Sequence, residues 1–561
     1  MKFYIIFKKN AKKLLALLCL FSLSFCLYGN DKKGFSKSYY GSILSGQIAN
    51  YSNQSDIASE YLDFANKFNP KNKKVYNLSL MSLILSGKVD DAIDKVKLYQ
   101  NYEEKNKYET QITDLLLLIN LIKDSKNKEA LEFIDNKKDI LITDKIKPLL
   151  KAWLSDSFKV AKRYLDEYEY KTEGLSLSNI YFHHLALISS HFGFDEEAYK
   201  AYNEGLKNFT LEKTRTLYFY SRFLSKHPQY KDKDNILEKF HKSNPDHSFA
   251  IFKNNKNKNN IDIDNFKSGI AELLYNMAET LYGQGMNDTS IAFAQISLYL
   301  NENNPIAHFI LAENYQLMGQ KKKAINTLKK ISLNSYLGWN SYLKIADLYV
   351  DLENYELAKD YLLRLKDQKS TGLDVYYKLG ELYHAQKKYK KAIYFFSRCI
   401  ELIKNPKRNH WYIYYSRGMS YERSNKWNEA EKDFLFSLEL FPNQPLVLNY
   451  LGYSWIDYGK NLIEAKKLIR KAVQLRPKDG YFIDSLGWAF YRMGDYTNAV
   501  KELERAVEIV PNDPIINDHL GDALWRAGYE NEAIFQWKRA LIYKPENDLK
   551  EAIMYKLRKG L

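Results

Sequence analysis

Twelve residues between 412 and 526 are of types that recognise another protein chain: Tyr412, Tyr415 and Arg423; Asn449 and Tyr453; Asp484, Trp488, Tyr491 and Arg492; Asp518, Trp525 and Arg526. They fall into four sets that share one spacing, successive steps of 3, 4, 3 and 1 residues. Met419, Glu422, Leu446, Ile456, Asp457, Tyr481, Ile515 and Asp522 fill the remaining places. Steps of three and four put each set on one face of a helix. A rigid ring buries much area for little lost freedom, and arginine offers paired donors to a carboxylate or a backbone carbonyl. The chemistry implied is recognition of a protein segment, with no covalent step.

The other reactive residue types do not converge. His183 and His191 are eight residues apart, about 12 Å along a helix, and neighbours 183 and 184 diverge by about 100° around its axis, so the three cannot share one metal ion. Cys399 takes a position reserved for small packed residues and is expected to be a buried thiol. There is no Walker loop, no G-x-S-x-G, no H-E-x-x-H and no paired-cysteine motif. Neither a catalytic residue nor a metal or other cofactor is expected. Two alternative readings stand beside recognition: an enzyme or accessory subunit with a site assembled within 107–260, and a basic solenoid that binds anionic lipid or nucleic acid.

The four sets are positioned by a repeat. Ala324, Ala358, Ala392, Ala430, Ala465, Ala499 and Ala533 are separated by 34, 34, 38, 35, 34 and 34 residues. A small residue precedes each by twelve or thirteen: Ala312, Ala346, Gly380, Gly418, Gly452, Gly487 and Gly521. Another follows the last five by seven: Cys399, Ser437, Ala472, Ala506 and Ala540. Small residues at fixed places mark the close approach of two antiparallel helices, where a larger side chain overpacks by about 1–3 kcal/mol. Pro442, Pro477, Pro511 and Pro545 recur where the second helix of each pair must stop.

This pattern resembles the tetratricopeptide repeat (TPR), strongly over 305–547 and more weakly at 271–304. The resemblance implies an all-α fold, an α-solenoid in which antiparallel helix pairs wind as a superhelix. Its concave surface would be made by positions 2, 5, 9, 12 and 13 of each first helix, and these positions hold the twelve candidates. Position 5 holds Asn449, Asp484 and Asp518, so the lysine and asparagine clamp that chaperone-binding repeats use for a terminal carboxylate is not expected. The ligand is expected to be an extended or helical segment read along its length.

Upstream the period fades but persists in Gly46, Ala58 and Pro70, in Ala92, in Ala130, and in Ala186 with Ala198. The expected organisation is a signal peptide or N-terminal anchor at 1–29, a divergent TPR-like array at 39–250, a polar linker at 251–265, a TPR array at 266–547 and a capping helix at 548–561. Composition agrees with a helical chain: only 24 Gly and 12 Pro among 561 residues argue against turn-dense β folds, collagen and Pro/Gly-rich disorder. The formal charge of +16 is spread thinly rather than gathered in an Arg/Lys stripe, so nucleic acid is not an expected partner.

The first residues carry Lys2, Lys8, Lys9, Lys12 and Lys13 ahead of an apolar stretch from Leu14 to Tyr28 and a polar restart at Asn30, the layout of an export signal. Cleavage, an uncleaved anchor and lipidation at Cys26 are alternative outcomes, and bulky Phe25 stands against the last. Residues 448–459, 479–496 and 517–541 resemble a family of exported TPR proteins frequent in α-proteobacteria. Related envelope TPR lipoproteins act as adaptors of periplasmic processing proteases. That resemblance implies a scaffold in the periplasm or at the membrane of a Gram-negative cell envelope, with protein partners such as a processing protease or an envelope assembly component.

Overall fold

The computed structural model describes residues 38–100, 110–137, 140, 146–172, 178–207, 213–230, 235–243, 263, 265–366 and 372–561. The expected signal at 1–29, Cys26 and most of the expected linker at 251–265 lie outside these residues. Among the described residues every regular element is a helix, and consecutive helices joined by short turns pack as pairs. The chain is an all-α solenoid of such pairs.

The packing inside a pair explains the small residues. A Cβ placed on Gly521 would stand 2.5 Å from Cδ1 of Trp537, and one on Gly487 would stand 2.5 Å from Cγ of Leu503. Gly418 faces Phe434 at 2.7 Å, Gly452 faces Ile469 at 2.7 Å, and Gly46 faces Leu62 at 2.5 Å. These facing side chains are fully buried. The rule is therefore reciprocal: a missing side chain on the first helix admits a large one on the second, sixteen or seventeen residues on.

The turn between the two helices requires a left-handed residue. Gly494 (φ 79°) and Gly528 (φ 90°) supply it, whereas Glu353, Lys387 and Asn425 adopt φ of 57–59° at the same place in their own repeats. A side chain there costs about 1–2 kcal/mol. Entry into the first helix is fixed by caps: the Asp513 carboxylate accepts from the backbone N–H of Ile515 (2.8 Å) and Ile516 (3.0 Å), with Pro514 at the first helical position.

The molecule divides into two compact units. The first comprises the residues up to Phe194 together with Ile263–Glu302, and the second comprises Asp195–Asp262 together with Asn303–Leu561. Residues 266–300, whose period places them with the C-terminal array, thus pack in the first unit, and the described residues among 195–243 pack in the second. The reason is side-chain chemistry. Helix Phe266–Gly283 has Gly269 against the ring of Trp153, and its Asn276 and Glu272 reach His184 and His183 of Ser178–His191. In the second unit Tyr218 stacks on Tyr336 at 4.2 Å, with the Arg215 guanidinium 5.2 Å from the same ring. Among the described residues no helix is long and apolar enough to cross a membrane.

Candidate functional site

Four first helices of the second unit, Trp411–Glu422, Pro445–Asp457, Gly480–Arg492 and Pro514–Arg526, carry eleven of the twelve candidate residues, Arg423 is the C-cap of the first of them, and Asn547–Lys559 continues the row. Arg423, Arg492 and Arg526 are exposed. Tyr412, Tyr415, Asn449, Tyr453, Trp488, Tyr491 and Trp525 are half-buried. Asp484 and Asp518 are buried.

The best-connected part of the site centres on Trp488. Its ring stacks on Tyr491 (4.7 Å) and on His519 (4.1 Å), and its indole N–H donates to Asp457 at 3.3 Å. Asp457 also lies 3.8 Å from Arg492. Beneath the ring, His519 Nδ1 is 2.9 Å from the Asp484 carboxylate. Burial opposes charge on His519, yet Asp484 first, and then Asp518 and Asp522, outweigh it and raise its pKa above the ordinary value.

Lys556, on the last helix, lies 2.8 Å from Asp518 and 2.7 Å from Asp522, and Trp537 donates to Asp522 at 2.9 Å. Burial and the Asp522 charge push the Asp518 carboxyl up, while the two carboxylates together hold Lys556 protonated against its own burial. Asp484 and Asp518 therefore serve internal pairs; the accessible polar groups of this stretch are the arginines and Asp457. The sequence reading missed His519, which is at position 6. It missed Lys556 because the repeat frame was not carried into the last helix, where position 9 is Lys556.

Further along the row, burial pushes the Tyr415 phenol up to about 12 and raises Tyr453 as well, so both hydroxyls stay protonated as donors. Tyr450 donates to Glu422 at 3.2 Å. Asn449 Oδ1 is buried with no hydrogen-bond partner among the described residues. A buried amide oxygen without a partner is uncommon, and this one lies in the middle of the row.

A second feature of the same face lies upstream and was not singled out from sequence. Position 9 of three successive repeats is acidic (Glu313, Asp347, Glu381), and position 6 is lysine in the latter two (Lys344, Lys378). The first two acids pair with the lysine of the next repeat, Glu313 with Lys344 at 2.5 Å and Asp347 with Lys378 at 3.0 Å. A cavity of about 400 Å³ opens where this ladder ends, between Gly338–Val350, Leu373–Ala385 and Trp411–Glu422. The recurrence at 34 residues was the signal that could have found it.

The three histidines of the first unit are in its packing. Trp153 can only donate, so His184 Nδ1 accepts from it (3.1 Å) and the proton sits on Nε2, which faces Asn276 Oδ1 at 2.9 Å. Burial, reinforced by His183, holds His184 down at about 3, hence neutral. His183 lies 3.4 Å from Glu272, and His191 packs against Trp153. Cys399 is buried with Sγ 3.5 Å from the Leu373 carbonyl, and burial pushes its thiol up to about 12, so no nucleophilic thiolate forms there at neutral pH. Among the described residues no group of three His, Cys, Asp or Glu side chains could hold a metal ion.

Helix pairs with reciprocal small and large residues define the class, an α-solenoid of repeated helix pairs. A family profile described as "Tetratricopeptide repeat" matches residues 340–369 and 373–406, and one described as "TPR repeat" matches 487–528. A TPR repeat-containing protein of Pseudomonas aeruginosa is 38% identical over 87 residues, which span 16% of this chain and only 15% of that relative. Among solved structures, the APC/C hetero-tetramer Cut9–Hcn1 is 14% identical, covering 94% of this chain and 97% of that one with a TM-score of 0.40. A tetratricopeptide repeat protein from Parabacteroides merdae is 17% identical over 45% of this chain and 96% of its own, with a TM-score of 0.36. MamA is 25% identical over 30% and 90%, with a TM-score of 0.27.

Proposed function

We propose that this protein is a non-enzymatic scaffold that holds a segment of a partner protein along the face formed by residues 411–526, and that it does so in the cell envelope after export. TPR arrays in general serve protein–protein interaction. The observation that carries the specific reading is one row of groups: exposed Arg423, Arg492 and Arg526, half-buried rings at Tyr412, Tyr453, Trp488 and Trp525, and the unpartnered Asn449 Oδ1. Exposed arginines beside half-buried rings are suited to an extended or helical segment. The envelope location is supported by the lysines and apolar stretch of residues 1–29, and a processing protease or an assembly component is the kind of partner that resemblance to envelope adaptors suggests.

The test is affinity capture from envelope extract with the wild type and with Trp488→Ala/Arg492→Ala. The wild type should retain a partner that the double variant loses, with unchanged helical circular dichroism. The same partners in both would place binding elsewhere.

A further inference from the structure

The cavity at the end of the lysine–carboxylate ladder has a composition that selects its occupant. Val350, Leu382, Phe396 and Met419 give it apolar walls, and Asp347, Asp351 and Glu381 bring three carboxylates to it. One internal cation, Lys378, answers them, at 3.0 Å from Asp347 and 2.9 Å from Glu381. Asp351 turns outward to Lys321 at 3.2 Å. His384 bonds Ser420 at 2.9 Å, and burial, helped by Arg423, lowers its pKa, so it adds no positive charge at neutral pH.

The ladder itself supplies the second argument. Glu313 is answered by Lys344 and Asp347 by Lys378, each from the following repeat; the same place after Glu381 holds Ser416, whose hydroxyl is 3.1 Å from that of Tyr377. Glu381 falls back on Lys378 of its own helix, and that lysine is shared between two acids. Among the described residues, the repeat geometry thus brings a third ladder carboxylate to a place where the next repeat holds serine instead of lysine.

We infer that this cavity binds an arginine or lysine side chain of a partner segment, its aliphatic stem against Leu382 and Met419 and its cationic head against the side of Glu381 that Lys378 does not occupy. A long basic side chain is suited to such walls because its stem is apolar and only its head is charged. A volume of about 400 Å³ lies within the range of sites that enclose a ligand group. This inference rests on the same face being the protein-binding face, and it adds the chemistry of one anchor residue.

The test titrates the full-length protein with four labelled peptides of one Gly/Ser/Leu sequence that differ only in a central Arg, Lys, citrulline or Glu, with spermidine as a separate probe. Arg and Lys peptides should bind, and citrulline, which keeps the shape and loses the charge, should bind about tenfold more weakly or worse. Glu381→Gln should erase the Arg-over-citrulline difference, and Lys378→Met, which removes the resident cation, should tighten the Arg peptide. Equal binding of Arg and citrulline overturns the inference, as does a preference that survives Glu381→Gln in a protein with wild-type circular dichroism. Spermidine binding without peptide binding also overturns it, since the occupant is then a free polyamine. If all four peptides bind alike and Trp488→Ala/Arg492→Ala abolishes them, the anchor falls and the groove stands. If the Arg preference is present while that double variant retains the partner, the groove assignment falls and the anchor stands.

Discussion

Each of the two compact units buries a histidine beside a tryptophan, and the two histidines have their pKa values shifted in opposite directions. In the first unit His184 sits between neutral groups, the Trp153 indole and the Asn276 amide, and burial keeps it neutral with a pKa near 3. In the second unit His519 sits under Trp488 with the Asp484 carboxylate at 2.9 Å, and the acids around it raise its pKa. Desolvation alone favours the neutral ring, and only a carboxylate in direct contact reverses that. The contacts differ in reach as well. Trp153, His184 and Asn276 are drawn from three helices far apart in sequence, whereas Asp484, His519 and Lys556 join neighbouring repeats at intervals of 35 and 37 to 38 residues. The first unit adds to its helix pairs long-range contacts that do not repeat, whereas the C-terminal repeats of the second are joined by contacts of one repeat with the next, as in a linear array.

The largest test of that difference removes the tryptophans. Trp153→Ala and Trp537→Ala should each cost about 3–5 kcal/mol, because both rings are fully buried. Hydrogen exchange should distinguish them: loss of Trp153 should expose Lys147–Leu154, Ser178–His191 and Phe266–Gly283 together, and loss of Trp537 should expose only the last repeats. Loss of protection confined to Lys147–Leu154 in the first case would break the comparison.

Adding a side chain to a packing glycine should cost about 1–3 kcal/mol. Gly487→Val drives a branched side chain into Leu503 of its own pair, so its effect should stay local. Gly269→Val meets the Trp153 ring and should disturb the Trp153–His184 bond as well, visible as a change in indole fluorescence that Gly487→Val does not produce.

The two histidines should respond to pH with opposite sign. The unfolded ring takes a proton near 6.5, but folded His184 does so only near 3, so its contribution is complete above 6.5 and declines as the pH falls from 6.5 toward 3. At about 1.4 kcal/mol per pH unit, that removes about 2 kcal/mol by about pH 5. His519, with its raised pKa, contributes fully below 6.5 and loses that contribution as the pH rises through the folded value. His184→Gln should flatten the acid decline of the first unit, and His519→Gln the alkaline decline of the second, each followed by exchange at peptides of its own unit. The smallest effect is Arg492→Ala, an exposed residue, which should change stability by no more than about 0.5 kcal/mol while weakening partner capture.

The repeat was legible because overpacking at an interhelical contact is a local penalty that recurs wherever the contact recurs. Gly418, Gly452, Gly487 and Gly521 therefore announced both the pairs and the face that the first helices present. The grouping of 266–300 with the first unit was not legible. It depends on Gly269 meeting Trp153 and on Asn276 meeting His184, single contacts across more than ninety residues that leave no period. Exposure along the groove was partly legible. Arg423, Arg492 and Arg526 are at the surface as their slots imply, but Asp484 and Asp518 are buried because His519 and Lys556 reach them from the next helix, which single-helix spacing does not register. The ladder of Glu313, Asp347 and Glu381 was present in the same 34-residue frame at position 9, with the lysines that answer it at position 6.

The central claim is that the first-helix face of the C-terminal repeats is where a partner is held. It is tested most directly by photo-crosslinking in intact cells, with a benzophenone amino acid placed at Arg492 on that face or at exposed Lys467 on a second helix. The account predicts a discrete protein adduct from position 492 and none from 467; adducts from 467 alone, or the same adduct from both, would contradict it.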